Sequence, residues 1–396
     1  MATKRVLNGN AAIAEAIRQI NPDVVAAYPI TPSTAIVEYI AKFVSDGLMT
    51  TEFVTPESEH SAMSMCVGAS AAGARVFTAT ASQGLALMFE ILYIASSLRL
   101  PIVAGIANRA LSAPINIHGD HSDVMGVRDS GWIQIHSENS QEAYDNVIQA
   151  FRIGEHKDVS TPVLVTMDGF ILSHAIQDMF VEEDEKVRAF VGEREPLYTL
   201  LDVENPITIG PIDFTDYYFE HKRSQFVGIE NAPKVILEVA EEFKKEFGRE
   251  YGFFELYKMD DAEVAIVVLG STAGTAKVVV DELRSKGKKV GLMKLRVYRP
   301  FPAKEVADVL SNLKAVAVLD RAASPGGVGG PLFTDVRASL YEYTNKPILV
   351  DYIYGLGGRD IAPHHIAEVY DRLEKIAATG ERGELLSYIN LREYEV

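Results

Sequence analysis

Residues Tyr28-Pro29-Ile30-Thr31-Pro32-Ser33-Thr34 join an apolar run, Val24-Val25-Ala26-Ala27, to a helical pattern, Ala35-Ile36-Val37-Glu38-Tyr39-Ile40-Ala41. The apolar run reads as a buried strand. Thr31 stands where an N-cap belongs and Pro32 at the first helical position. The expectation is a rigid strand-to-helix corner. Its free backbone N–H groups and positive dipole end favour a carboxylate or phosphate. A well-capped turn with no ligand satisfies the same pattern.

Outward from this corner, short apolar runs alternate with helical stretches. Strand-like runs are 24–28, 52–54, 75–80, 102–106 and 163–167, with helical patterns at 85–98 and 141–153. This rhythm predicts an α/β domain with a mostly parallel sheet and helices on both faces. The segment 61–73 is rich in Ala, Ser and Gly, a composition that lets a helix approach a neighbour or ligand closely. The rhythm breaks after residue 178 at the charge run Val181-Glu182-Glu183-Asp184-Glu185-Lys186. A weakly periodic stretch with Pro196, Pro206 and Pro211 follows, then one charged amphipathic helix near 232–247. A second βαβ rhythm starts at 264–269 and continues with a helix at 273–286 and strands at 290–295, 315–319 and 348–353. The expected division is 1–178, a connecting arm at 179–259, and 260–396.

Lys plus Arg number 38 and Asp plus Glu 55, a formal net charge of −17. That balance argues against nucleic acid or an anionic membrane as partner. No apolar run approaches a membrane span. The start, Met1-Ala2-Thr3-Lys4-Arg5, lacks the apolar core of a secretion signal, so the cytoplasm is the expected location. Cys66 is the single cysteine. It cannot form a disulfide within the chain or ligate an iron–sulfur cluster unaided.

Polar groups gather after the strand-like runs. Glu59, in Glu57-Ser58-Glu59-His60, sits at a helix start, where a carboxylate commonly caps or partners the dipole. Buried against a heterocycle it would instead exchange a proton with a ring nitrogen. Ala81-Ser82-Gln83-Gly84 follows the run 75–80, at the carboxyl end of a parallel strand, where α/β proteins bind ligands. Arg109 closes the run 102–106 and suits a carboxylate held by two parallel hydrogen bonds, or a structural ion pair. His118-Gly119-Asp120-His121-Ser122-Asp123 invites a metal-site reading but matches no standard ligand spacing. Gly270-Ser271-Thr272 follows a strand at a helix start, as a tight turn or a phosphate cradle. No G-x-G-x-x-G lies in a strand–turn–helix setting and no G-x-S-x-G is present, so neither a dinucleotide nor a hydrolase elbow is predicted.

These segments together resemble the alpha chain of the 2-oxoacid:ferredoxin oxidoreductases, in particular the pyruvate enzyme. The matching stretches are YPITPST at 28–34, ESEHSA at 57–62, TATASQGLALM at 78–88, NRALSAPINIHGDHSD at 108–123 and GW at 131–132. PVLVTMDGFILSH at 162–174, YRPFP at 298–302 and GLGGRD at 355–360 match as well. The resemblance implies a thiamine-diphosphate-type pyrimidine-binding domain plus a transketolase C-terminal-like α/β domain. It implies oxidative decarboxylation of pyruvate with coenzyme A to acetyl-CoA and CO₂, reversibly, with electrons passed to ferredoxin. Glu59 becomes the acid that hydrogen-bonds the aminopyrimidine ring. Pro29 and Thr31 line the cofactor, and Thr31 and Arg109 hold the substrate.

The chain lacks parts this chemistry needs. Met167-Asp168-Gly169 is the nearest approach to a Gly-Asp-Gly diphosphate motif, and no Asn lies between Asp168 and Asn205. The resemblance therefore places the diphosphate half of the cofactor, its Mg²⁺ and the [4Fe-4S] clusters on partner beta, gamma and delta chains. The alternatives are a 2-oxoisovalerate or other 2-oxoacid enzyme, a metal-dependent hydrolase built on 118–123, and a non-catalytic scaffold subunit.

Overall fold

The computed structural model describes residues 2–392. The N-terminal strands are β1 (Thr3–Leu7), β2 (Val24–Ala26), β3 (Glu52–Val54), β4 (Val76–Thr80), β5 (Ile102–Asn108), β6 (Ile133–Ser137), β7 (Val163–Asp168) and β8 (Gln177–Val181). Next come β9 (Phe254–Tyr257), β10 (Val264–Leu269), β11 (Val290–Leu295) and β12 (Val297–Arg299). The last are β13 (Ala315–Asp320), β14 (Ile348–Ile353) and β15 (Leu386–Tyr388). One seven-stranded sheet has the order β12-β6-β7-β5-β4-β2-β3, and a six-stranded sheet has the order β15-β14-β13-β10-β11-β9. Each is parallel except for one antiparallel edge strand, β12 in the first and β9 in the second. β1 and β8 form a separate antiparallel pair.

The central strands β4, β5, β6 and β7 are buried at every position, because helices cover both faces. Helices Gly9–Ile20 and Ser140–Glu155 pack their Ala, Ile, Val and Phe side chains on one face. Helices Glu59–Ala71 and Phe89–Ser97 pack on the other, against Val76, Ile102, Ala104 and Trp132. Burial of these runs is the main driving force for the domain, at about 25 cal/mol per Å² of apolar surface.

Three strands cross the expected boundaries, and the first is β8, which straddles 178/179 and pairs with β1. β9 lies within the stretch assigned to the arm yet forms the edge of the second sheet. β12 follows β11 of the second sheet directly but pairs with β6 of the first. β6 itself is a strand the alternating pattern at 133–137 did not disclose, because its polar positions Gln134, His136 and Ser137 are buried too. The arm helix spans Tyr218–Phe247, beginning well before 232 and continuing through Pro233. Ala232, Val235, Ile236, Val239 and Phe243 dock it on the first core.

The corner at 28–34 corrects the expected cap. The helix is Thr34–Ser45, its N-cap is Ser33, and Thr31 and Pro32 belong to the turn before it. Ser33 closes that turn, its hydroxyl donating to the Ile30 carbonyl (2.8 Å) and its own carbonyl accepting from Ile36 N–H (2.9 Å). The start therefore moves downstream and leaves Thr31 exposed at the corner, outside the helix.

Candidate functional site

The expected site residues all follow parallel strands of the first sheet at their carboxyl ends: Thr31 after β2, Glu59 after β3, Gly84 after β4 and Arg109 after β5. This is the edge where parallel α/β sheets place ligands, since the chain reverses there and loops diverge.

Ser58 caps the helix Glu59–Ala71, its hydroxyl accepting from Ser61 N–H at 3.2 Å. The cap is thus filled, and the Glu59 carboxylate turns inward, 8% exposed. The Glu59 carboxylate has no hydrogen-bond or ion-pair partner among the described residues, and its oxygens remain accessible for a ligand. It lies against Gly84, where a Cβ would stand 2.8 Å from Glu59 Oε1 and 2.4 Å from Thr80 Oγ1. The Thr80 hydroxyl is itself buried without a partner. Glycine at 84 therefore lets this helix start pack tightly against the Glu59 carboxylate and the unpartnered Thr80 hydroxyl.

Thr31 and Arg109 meet directly. Arg109 Nη1 donates to the Thr31 carbonyl oxygen (3.0 Å) and Nε to the Asn116 carbonyl (2.9 Å). Arg109 is buried, and this anchoring fixes its guanidinium while leaving further N–H groups for a ligand. The Thr31 hydroxyl has no partner among the described residues. Pro29 is exposed on the same corner. Glu59 stands on the neighbouring strand end and makes no hydrogen bond with either.

Beneath these groups, Asp123 ties the ends of β4 and β5 together. Its carboxylate accepts from the N–H groups of Ser82 and Arg109 (3.0 Å each) and from the Asn108 side chain (3.0 Å). Burial pushes its pKa up to about 6, against the pull of those donors. Sequence reasoning marked Asp123 only as part of a polar cluster. Its role as a fastener shows only when β4 and β5 are paired.

The cluster at 118–123 does not converge on one point. His118 Nδ1 faces Asn116 Oδ1 at 3.2 Å and its ring packs on Phe170. Asp120 accepts from Ser122 and from Gly357 N–H, and His121 Nε2 is 2.7 Å from Asp168 Oδ1. Among the described residues, the one grouping of three metal-type ligands is Glu138, Glu142 and Glu255. Lys277 and Lys294 occupy its centre as counter-charges. The hydrolase alternative thus loses the ligand geometry it needs.

Asp168 likewise does not act as a free diphosphate-motif acid. Its carboxylate accepts from Ser271 N–H (2.8 Å) and Ser271 Oγ (2.5 Å), and Arg321 lies 3.3 Å away. Burial would raise its pKa, but Arg321 and His121 beside it hold the carboxyl well below the usual range. The turn Gly270-Ser271-Thr272 is therefore filled by an acid from the first sheet, which clamps the two α/β units together. His136 is buried beside His121, and burial lowers its pKa to about 3, so it is neutral at physiological pH.

Two α/β units joined by an arm, with ligand groups on the carboxyl edge of the first sheet, define a transketolase-type architecture. A split-gene transketolase structure superposes over 94% of this chain and 99% of its own, with a TM-score of 0.54 at 12% identity. A 2-oxoglutarate:ferredoxin oxidoreductase from Magnetococcus marinus gives a TM-score of 0.73 at 20% identity. That match covers 94% of this chain, which spans 65% of the oxidoreductase chain. Residues 15–241 match the family model for the thiamine diphosphate-binding part of pyruvate flavodoxin/ferredoxin oxidoreductase. Residues 262–366 match core domain II of pyruvate:ferredoxin oxidoreductase. The chain belongs to the pyruvate:ferredoxin oxidoreductase family. The pyruvate synthase subunit PorA of Thermotoga maritima is 57% identical over 92% of this chain and 93% of its own length. PorA of Methanocaldococcus jannaschii is 48% identical over 95% of this chain and 96% of its own. The ketoisovalerate oxidoreductase subunit VorA of Pyrococcus horikoshii is 42% identical over 98% of each.

Proposed function

We propose that the chain is the alpha subunit of a multi-subunit pyruvate:ferredoxin oxidoreductase. The reaction cleaves the bond between the carboxylate and the keto carbon of pyruvate, releases CO₂ and forms the thioester of acetyl-CoA. Two electrons leave singly to two oxidised ferredoxins, and one proton is released.

One observation carries the reading: the Glu59 carboxyl, at the carboxyl end of the first sheet, has no protein partner and lies against Gly84 beside the unpartnered Thr80 hydroxyl. An orphaned carboxyl beside an orphaned hydroxyl fits a heterocyclic nitrogen and its amino group. Thiamine diphosphate supplies, when bound, a carbon nucleophile and an electron sink. Glu59 holds its pyrimidine ring and exchanges a proton with the ring nitrogen. Pro29 and Thr31, at the end of β2, would line the cofactor. Arg109, pinned by two carbonyls, offers its remaining N–H groups to the substrate carboxylate, and the Thr31 hydroxyl orients the same group.

The rest of the machinery belongs to other chains. Asp168 is committed to Ser271, His121 and Arg321, so this chain has no free acid at the end of β7 for Mg²⁺ and diphosphate. Cys66 is fully buried in the apolar core, and burial pushes its thiol up to about 12, which suits packing and not cluster ligation. Beta, gamma and delta chains carry the diphosphate half with its Mg²⁺, the [4Fe-4S] clusters and the path to ferredoxin. Tyr28, Ile115, Ile117 and Ile171 expose apolar surface beside the corner and the 110–120 loop, where a partner would close the site. Pyruvate is favoured over 2-oxoisovalerate because the pyruvate synthase subunits share more identity with the chain than the ketoisovalerate subunits do. The test is to purify the complex from its source and follow viologen reduction. Reduction that requires both pyruvate and coenzyme A supports the assignment, and preference for the branched acid overturns the substrate choice.

A further inference from the structure

The Asn116 carbonyl that fixes Arg109 is itself held from the second α/β unit. Asn116 Nδ2 donates to the Gly357 carbonyl at 2.9 Å, and Gly357 N–H donates to Asp120 Oδ2 at 2.9 Å. One glycine thus grips the loop 116–120 at both ends. Its backbone has φ +59°, and a Cβ there would lie 2.4 Å from Asn116 Nδ2. At the next position, Gly358 (φ +77°), a Cβ would lie 2.5 Å from His118 Cβ. Only glycine adopts these conformations cheaply and allows such close approach. Arg321 supports the contact from the same side, its carbonyl accepting from His121 N–H at 2.8 Å. Asn116 Oδ1 completes the loop by accepting from His118 N–H at 2.7 Å.

We propose that the glycine turn 355–358 of the second α/β unit, acting through Asn116, is the positioning element for Arg109 and sets how tightly the 2-oxoacid is held. The chain of contacts is continuous: Gly357 to Asn116, Asn116 to Arg109 Nε, Arg109 Nη1 to Thr31. The guanidinium has a planar fork, so a tilt misdirects both hydrogen bonds to a carboxylate together. Asn116 and Gly357 are positioning residues, since neither is needed to touch the substrate. The proposal rests on the reading of Arg109 as the carboxylate-binding group.

The test uses the assembled complex with Asn116→Asp, which keeps the acceptor for His118 and removes the donor to Gly357. The expected result is a rise of about tenfold in the KM for pyruvate, with kcat and the KM for coenzyme A little changed. Gly357→Ala, a second route to the same loop, gives the same split. In an Arg109→Ala background Asn116→Asp adds nothing further, because the group it positions is gone. A full additive effect there, or no KM change in either single variant, overturns the positioning role. If Arg109→Ala alone leaves the pyruvate KM unmoved, the substrate role of Arg109 falls instead, and the proposal with it.

Discussion

Arg109 Nη1 donates to the main-chain carbonyl of Thr31 across 3.0 Å, joining the ends of strands β2 and β5. The corner and the cation are therefore one unit, and the Thr31 hydroxyl and the unused N–H groups of Arg109 are presented together. Removing the cation should weaken substrate use without dismantling the fold. Arg109→Ala is expected to raise the KM for pyruvate by about 10- to 100-fold, consistent with loss of a charge-assisted pair. Steady-state kinetics of the reconstituted complex check this, and an effect confined to kcat would contradict it.

Glu59→Gln keeps the shape of the side chain and removes its acid–base capacity. Turnover is expected to fall by about two to four powers of ten, the usual contribution of a general acid–base group. Because Glu59 has no protein partner to lose, the thermal midpoint and subunit assembly should be unchanged. A scaffold subunit would tolerate the change.

Gly84→Ala places a methyl group 2.8 Å from Glu59 Oε1 and 2.4 Å from Thr80 Oγ1. Glu59 can swing away, but Thr80 is β-branched and fully buried in β4, so the variant strains this contact and its fold is checked by thermal melting. The added methyl displaces the Glu59 carboxyl from its place against position 84. Thiamine diphosphate affinity in the complex is expected to drop by about tenfold, a change of about 1.4 kcal/mol, read by titration calorimetry.

Asp168→Asn tests the clamp between the two α/β units. Replacing a buried acid that faces Arg321 and His121 should cost about 3 kcal/mol. The folded carboxyl lies below its unfolded value, so its stabilisation is fully present above that value, about pH 4, and is lost only as pH falls through the lower folded value. The difference in stability between wild type and variant should narrow as pH falls below about 4. Denaturant unfolding at stepped pH provides the readout.

The parallel strands β2, β4, β5, β7, β10, β11, β13 and β14 were legible because both faces are covered and apolar residues dominate each run. β6 was not, since its buried Gln134, His136 and Ser137 imitate a solvent-facing alternation. The arm helix was started too late in the sequence, since a proline at 233 fits the first turn of a helix and its interior position shows only in the structure. Thr31 was assigned the N-cap, but Ser33 takes that position because its hydroxyl closes the same turn. Glu59 and Arg109 were visible as polar groups after apolar runs, and Gly84 as part of the turn 81–84. Asn116 and Gly357 were not visible as a pair, since a contact spanning 241 positions leaves no local signal.

Titration of thiamine diphosphate into the isolated chain, the wild-type complex and the Glu59→Ala complex compares the two halves of the site directly. No tight binding by the chain alone, tight binding by the wild-type complex and a marked weakening in the variant are the predicted results. Stoichiometric tight binding by the isolated chain, or a Glu59→Ala complex that binds like wild type, would contradict a cofactor site shared between chains and closed by this carboxyl.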